Sequence, residues 1–253
     1  MKLARDTWLV FQRYFGIFIH DPIWVGVGVI QPALYLLLFA PLLKSIAAVP
    51  GFPRGGAYNV FVPGLLIQLG LFGAAGVGFS LISELRLGVV ERLRVTPVSR
   101  LAMLLGWAMR DILTLLIQSL ILVVLALPFG LSFRPWGILI ALGLVALIGL
   151  TVTSVSYALA LTLRDENSFA PIIFTASLPL LLLSGVLLPM SLAPSWLRTI
   201  STLNPLSHAV AANRAVFLGH LGNPNVLQGV AIMAVLAVVA IWIAARSFSR
   251  AIA

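Results

Sequence analysis

Residues 136–163 read WGILIALGLVALIGLTVTSVSYALALTL and contain no charged side chain. About 20 consecutive apolar residues suffice to cross a bilayer as a helix, so this stretch places the chain among integral membrane proteins. Working outward from it, five further stretches have the same character, at about 23–43, 58–82, 103–129, 169–190 and 225–245. Of the 253 residues 61% are hydrophobic and 9% charged. A soluble domain carries about 25% charged residues. So few charges cannot cover a soluble surface, and so much Leu, Val and Ile excludes disorder. The expected fold is all-α and membrane-embedded, with six transmembrane helices in one domain over residues 1–253.

The net charge of +9 describes topology rather than nucleic-acid binding, because the basic residues lie between apolar segments and not on one face. With both termini in the cytoplasm, 11 Lys and Arg fall inside and 5 outside; the outer set is Lys44, Arg54, Arg134, Arg198 and Arg214. The positive-inside rule favours this orientation over its inverse.

Four segments that do not span carry the functional signal. Residues 2–20 form an interfacial helix, with Lys2, Arg5, Asp6, Gln12 and Arg13 on one side and Leu3, Trp8, Val10, Phe11, Tyr14, Phe15 and Phe18 on the other. In the cytoplasmic connector, Leu85, Val89 and Leu93 recur every four residues, Glu84, Arg86, Glu91, Arg92 and Arg94 decorate the rest, Gly88 lies within it, and Pro97 ends the helix. A helix over 84–97 gives a soluble partner a handle; the alternative is a snorkelling loop at the membrane edge. Arg164-Asp165-Glu166-Asn167 reads as a tight, solvated turn with a local ion pair. Residues 191–222 are too apolar for a free loop and too interrupted by Pro205 for a span, so two short re-entrant helices on the external side are expected.

The chain lacks a G-x-x-x-x-G-K-[ST] phosphate loop, and its only lysines are Lys2 and Lys44. It has no cysteine, and His20, His208 and His220 are scattered, so a metal site is not expected. The middle thirds of all six stretches lack ionisable residues; Arg110-Asp111 is the deepest charged pair and reads as locally neutralised. An ion-coupled carrier and an intramembrane enzyme are both disfavoured. Energy for active transport has to come from another polypeptide. Gly70, Ala74 and Gly78 make a small-residue seam for close helix approach, within one subunit or across a dimer.

Three regions together resemble the membrane subunits of type-2 ATP-binding cassette exporters, most closely the daunorubicin-resistance-like drug-export branch. They are Phe11-Gln12-Arg13-Tyr14-Phe15, the connector from Glu84 to Arg100, and Leu183-Ser184-Gly185-Val186-Leu187-Leu188-Pro189 followed by Pro194, Trp196-Leu197, Leu203-Asn204-Pro205-Leu206 and Arg214. The resemblance covers essentially the whole chain. It implies a half-transporter in a bacterial plasma membrane, working as a dimer with a second, identical permease and two copies of a separate P-loop subunit that bind ATP and Mg. It also implies that 2–20 is the interfacial helix, that 84–97 is the coupling helix docked on the ATPase, and that the segment after Pro189 caps the outer side. Spans one, two and five would line the path. Gln31, Gln68, Ser177 and Ser184 are the few polar groups there able to orient cargo, although each could instead bond a neighbouring helix. An uncharged path with sparse aromatic rings points to a lipophilic or amphipathic cargo; a lipid-linked glycan or oligosaccharide is the runner-up. A reading of another class is a non-transporting scaffold or sensor that holds a soluble partner through the connector.

Overall fold

The computed structural model describes residues 2–19, 23–46, 56–88, 99–187 and 190–251. Among these every regular element is helical: α1 (Lys2–Ile19), α2 (Ile23–Ile46), α3 (Ala57–Ala75), α4 (Val77–Arg86), α5 (Arg100–Ala126), α6 (Pro135–Leu163), α7 (Glu166–Leu183), α8 (Ser195–Thr202), α9 (Pro205–Phe217) and α10 (Pro224–Ala251), with 3-10 turns at Leu127–Phe129 and Met190–Leu192. Five helices are long and apolar enough to cross a membrane: Ala57–Arg86, Leu101–Phe129, Pro135–Leu163, Glu166–Leu183 and Pro224–Phe248. Within α2 the stretch Val25–Leu38 is apolar but shorter. The sixth expected stretch, 23–43, falls on α2, Ile23–Ile46.

The uncharged helix α6 is the hub. It packs against α3, α4, α5, α7, α9 and α10, and buries Ile138, Ala141, Leu144, Val145, Ile148 and Tyr157. Small residues let backbones close on one another. A Cβ at Gly70 would sit 3.3 Å from Ile148 of α6, and one at Gly78 would sit 2.4 Å from the Phe169 ring of α7. The Gly70-Ala74-Gly78 seam is therefore used inside this subunit. Gly76 separates α3 from α4, and Ser156 repairs the broken ladder: its hydroxyl accepts from the Gly78 amide at 2.9 Å and donates to the Ala75 carbonyl at 2.8 Å. Such repair matters where no water can satisfy the freed groups.

Two boundaries differ from the sequence reading. The fifth long stretch, expected to run to 190, ends as a helix at Leu183, because the Ser184 hydroxyl bonds the Leu181 carbonyl at 2.6 Å and Gly185 turns at φ 76°. The helix that carries Glu84 is α4, the end of the preceding apolar helix; it stops at Arg86, and Gly88 turns at φ 67°. A helix from Glu84 does not run unbroken through Gly88, a position where a left-handed backbone favours glycine.

Candidate functional site

The end of the bundle where α1, α4, the start of α5 and the end of α6 meet is built around Trp107. Its ring lies edge-on to Tyr14 at 5.9 Å, Tyr157 at 6.1 Å and Phe248 at 6.0 Å. Helix α1 packs on α5, and Val10 fills the space above Gly106, where a Cβ would come within 2.6 Å of it. The buried face of α1 is Asp6, Thr7, Val10, Phe11 and Tyr14, whereas Leu3, Trp8 and Leu9 are exposed. Val10, Phe11 and Tyr14 of the expected apolar side are thus buried against the bundle, and Asp6 of the expected polar side is buried with them.

A chain of polar groups threads this aromatic cluster. The Tyr14 hydroxyl donates to Glu84 Oε2 at 3.2 Å. The Arg110 guanidinium stands 5.8 Å from the Tyr14 ring centre and bonds Asp111 Oδ1 through Nε at 2.9 Å and Nη2 at 2.7 Å. Tyr157 donates its hydroxyl to Asp111 Oδ2. Burial, and then the nearby Glu84 carboxylate, hold the Tyr14 phenol above its ordinary pKa, so it stays a donor at neutral pH. Just beyond, Arg86 reaches Asp165 Oδ1 at 3.4 Å and Glu166 Oε1 at 3.3 Å. The ion pair of the Arg164–Asn167 turn is therefore not local; it ties that turn to the end of α4. Asp165 also caps α7, accepting from the hydroxyl and amide of Ser168, and these bonds hold its carboxyl below the ordinary range.

Of the connector residues, Glu84, Arg86 and Gly88 lie at this junction, while Glu91, Arg92, Arg94 and Pro97 lie outside the described residues. The sequence reading registered Arg110-Asp111 but not the partners Tyr14 and Tyr157. The available signal was a lone tyrosine in an uncharged 28-residue span, whose hydroxyl needs a partner once buried.

At the opposite end, α8 and α9 meet at Leu203-Asn204 and are too short to span. Pro205 opens α9 and Pro194 stands at the start of α8. The Asn204 side chain accepts from the Leu206 amide at 3.0 Å and donates to the Leu180 carbonyl of α7 at 2.7 Å. Asn213 donates to the Pro63 carbonyl at 2.9 Å. Arg214 donates to the carbonyls of Val60 at 2.9 Å, Gly185 at 2.7 Å and Val186 at 3.3 Å. Helix α9 is thus fastened to α3 and to the 184–187 turn, which itself lies against Gly64: a Cβ there would meet the Val186 carbonyl at 2.6 Å. Trp196 is 64% exposed, and Pro189 lies outside the described residues.

The four polar groups expected along a path differ in their surroundings. Gln31 is exposed on α2. Gln68 is buried, with its Oε1 unbonded. Ser177 donates to the Ile173 carbonyl and Ser184 to Leu181, so both hydroxyls close onto their own helix.

The sequence profile of the ABC-2 type transporters matches residues 5–218. This chain belongs to the ABC-2 type transporter family. Among relatives, the putative transport permease ycf38 of Porphyra purpurea is 32% identical over 219 residues, covering 85% of this chain and 75% of the relative. Its counterpart in Pyropia yezoensis is 33% identical over 217 residues, covering 85% and 72%. The daunorubicin resistance ABC transporter permease protein DrrB1 of Streptomyces coeruleorubidus is 26% identical over 217 residues, covering 81% and 72%. The ABC-2 chain is accordingly a multi-pass membrane permease.

Proposed function

We propose that this permease is the membrane half of an ATP-driven exporter that moves a lipophilic or amphipathic compound out of the cytoplasm or inner leaflet. It would work as a pair of identical subunits with two copies of a P-loop subunit, which bind ATP and Mg. The observation that carries the reading is the bonded junction Tyr14–Glu84 together with Arg86–Asp165/Glu166. It joins the N-terminal helix, the start of the connector and the second connecting turn, so a displacement of the connector is delivered to three helices at once. In this reading α1 lies at the cytoplasmic membrane surface, residues 84–97 dock on the ATPase, α2 is the sixth span, and α8 and α9 dip into the outer leaflet. The cargo class is supported by the uncharged spans that would line the path, with Gln31, Gln68, Ser177 and Ser184 as candidate polar contacts. Moving a strongly charged cargo through such surroundings costs several kcal/mol per unpaired ion.

The test is co-purification with a P-loop ATPase encoded beside it, followed by ATP hydrolysis in lipid with and without lipophilic compounds. Stable association and stimulated hydrolysis support the exporter. Association without stimulation by lipophilic compounds but with stimulation by a lipid-linked glycan reassigns the cargo. No association with any such ATPase overturns the reading in favour of a scaffold.

A further inference from the structure

The sequence holds no Asp or Glu between residues 112 and 164 or after residue 166. The bundle end remote from Tyr14, formed by the 127–136 turn and the α8–α9 region, therefore has cations and no carboxylates. Among the described residues the ion pairs all lie elsewhere: Arg5 with Asp6, Arg86 with Asp165 and Glu166, and Arg110 with Asp111. Arg214 is enclosed by carbonyls, and Arg198 bonds the carbonyls of Ser191 and Ala193. Arg134 differs. Only its Nη1 is engaged, with the Leu218 carbonyl at 3.1 Å, and the side chain is exposed. Its guanidinium lies where Gly219 (φ 89°) leaves room, since a Cβ there would fall 1.3 Å from Nη1.

Arg134 lines a cleft of about 270 Å³ together with Phe133, Trp136, Val216, Gly219 and Leu221. Phe133 and Trp136 are 67% and 70% exposed. Below the cleft, α6 presents Trp136, Leu139 and Gly143 on one exposed face, and Gly143 has open space above its Cα. Positions i, i+3 and i+7 stack along a helix, so the cleft continues as an apolar strip towards the bundle centre. A guanidinium fork suits a phosphate. Aromatic rings at a helix end suit the headgroup level, and an apolar strip suits an acyl chain.

We infer that the cleft at Arg134 binds a phospholipid, with its phosphate on the Arg134 guanidinium and one acyl chain along Leu139 and Gly143. On the expected topology this lipid belongs to the outer leaflet. The inference rests on the membrane-permease reading and does not involve the ATPase, so loss of lipid binding and loss of ATPase association are separate outcomes.

The experiment is native mass spectrometry of the purified full chain titrated with dioleoyl-phosphatidylglycerol or with dioleoylglycerol, which lacks the phosphate. The parent should bind the phospholipid well above the diglyceride. Arg134→Gln should weaken phospholipid binding about tenfold, the scale of one charge-assisted hydrogen bond, while Arg198→Gln leaves it unchanged. If Arg134→Gln fails to fold, Gly143→Leu supplies the test: it fills the strip without touching Arg134 and should also lower binding. Equal binding of the two lipids overturns the site, as does unchanged binding in the folded Arg134→Gln or Gly143→Leu protein. Displacement of the lipid by inorganic phosphate alone would mean a free-anion site and overturn the lipid assignment.

Discussion

Tyr14 in the N-terminal helix donates its hydroxyl to Glu84 at the end of α4, bridging 70 positions of sequence at 3.2 Å. The bond places the N-terminal helix and the start of the connector under common restraint. Hydrogen bonds to charged groups contribute about 1.5–3 kcal/mol when buried, and this one is partly buried, so the lower end applies. Tyr14→Phe should lower cargo-stimulated ATP hydrolysis several-fold, with membrane insertion unchanged, whereas Glu84→Gln with Tyr14 intact should keep part of the coupling, since its amide oxygen still accepts from the Tyr14 hydroxyl. Full coupling in Tyr14→Phe would show that the bond transmits nothing.

A pH profile tests the same bond with a definite sign. The Tyr14 pKa is raised above its ordinary 10.0, so the protonated donor is favoured in the folded protein. Its contribution is complete below the unfolded value and is lost only as pH rises through the higher folded one. Coupling should therefore show no Tyr14-dependent loss up to about pH 9, the region below that ordinary value. A loss between neutral pH and 9 that disappears in Tyr14→Phe contradicts this.

The ion pairs of Arg86 are half-exposed on both sides. Exposed pairs contribute about 0–1 kcal/mol, so Arg86→Ala should barely change thermal stability. Its effect belongs in transport. Arg86→Glu should impair export, and combining it with Asp165→Arg and Glu166→Arg should recover it. An unimpaired Arg86→Glu protein would reduce the cluster to a solvated surface.

Close packing at Gly64 gives a stability prediction. Its Cβ would collide with a backbone carbonyl, which cannot rotate away, whereas at Gly26 nothing lies within 4 Å. Gly64→Val should destabilise by about 1–3 kcal/mol, the range for overpacking, and Gly26→Ala should be neutral. Thermal unfolding in detergent reads both. Arg214→Gln should cost a similar amount, since three carbonyls lose their donor, with Arg214→Lys intermediate because it keeps the charge but loses the fork.

The absence of cysteine makes topology directly testable. Cysteines introduced by Ser195→Cys and Ser249→Cys should behave oppositely in intact cells, the first labelled by an impermeant thiol reagent and the second protected. Labelling of the second would put the carboxyl terminus outside and break the proposed arrangement.

Sequence by itself determined the membrane class, five of the long helices, the break into two short helices before the last one, and the lack of a P-loop motif. Each depends on a one-dimensional quantity: run length of apolar residues, a proline position, a missing motif. It also located Glu84 and Arg86 as candidates. Only the tertiary structure decided their partners. Tyr14 meets Glu84 across 70 positions because α1 packs on α5, and Tyr157 meets Asp111 because α6 returns antiparallel to α5 and brings residues 46 positions apart into one buried layer. Which apolar residues of α1 meet protein was likewise decided by tertiary packing. In a chain whose apolar residues meet either lipid or protein, hydropathy does not distinguish the two surroundings; the fit of Val10 over Gly106 does. Likewise the fifth stretch ends at Leu183 rather than 190, since Gly64 and Arg214, distant in sequence, make room and donors for the 184–187 turn.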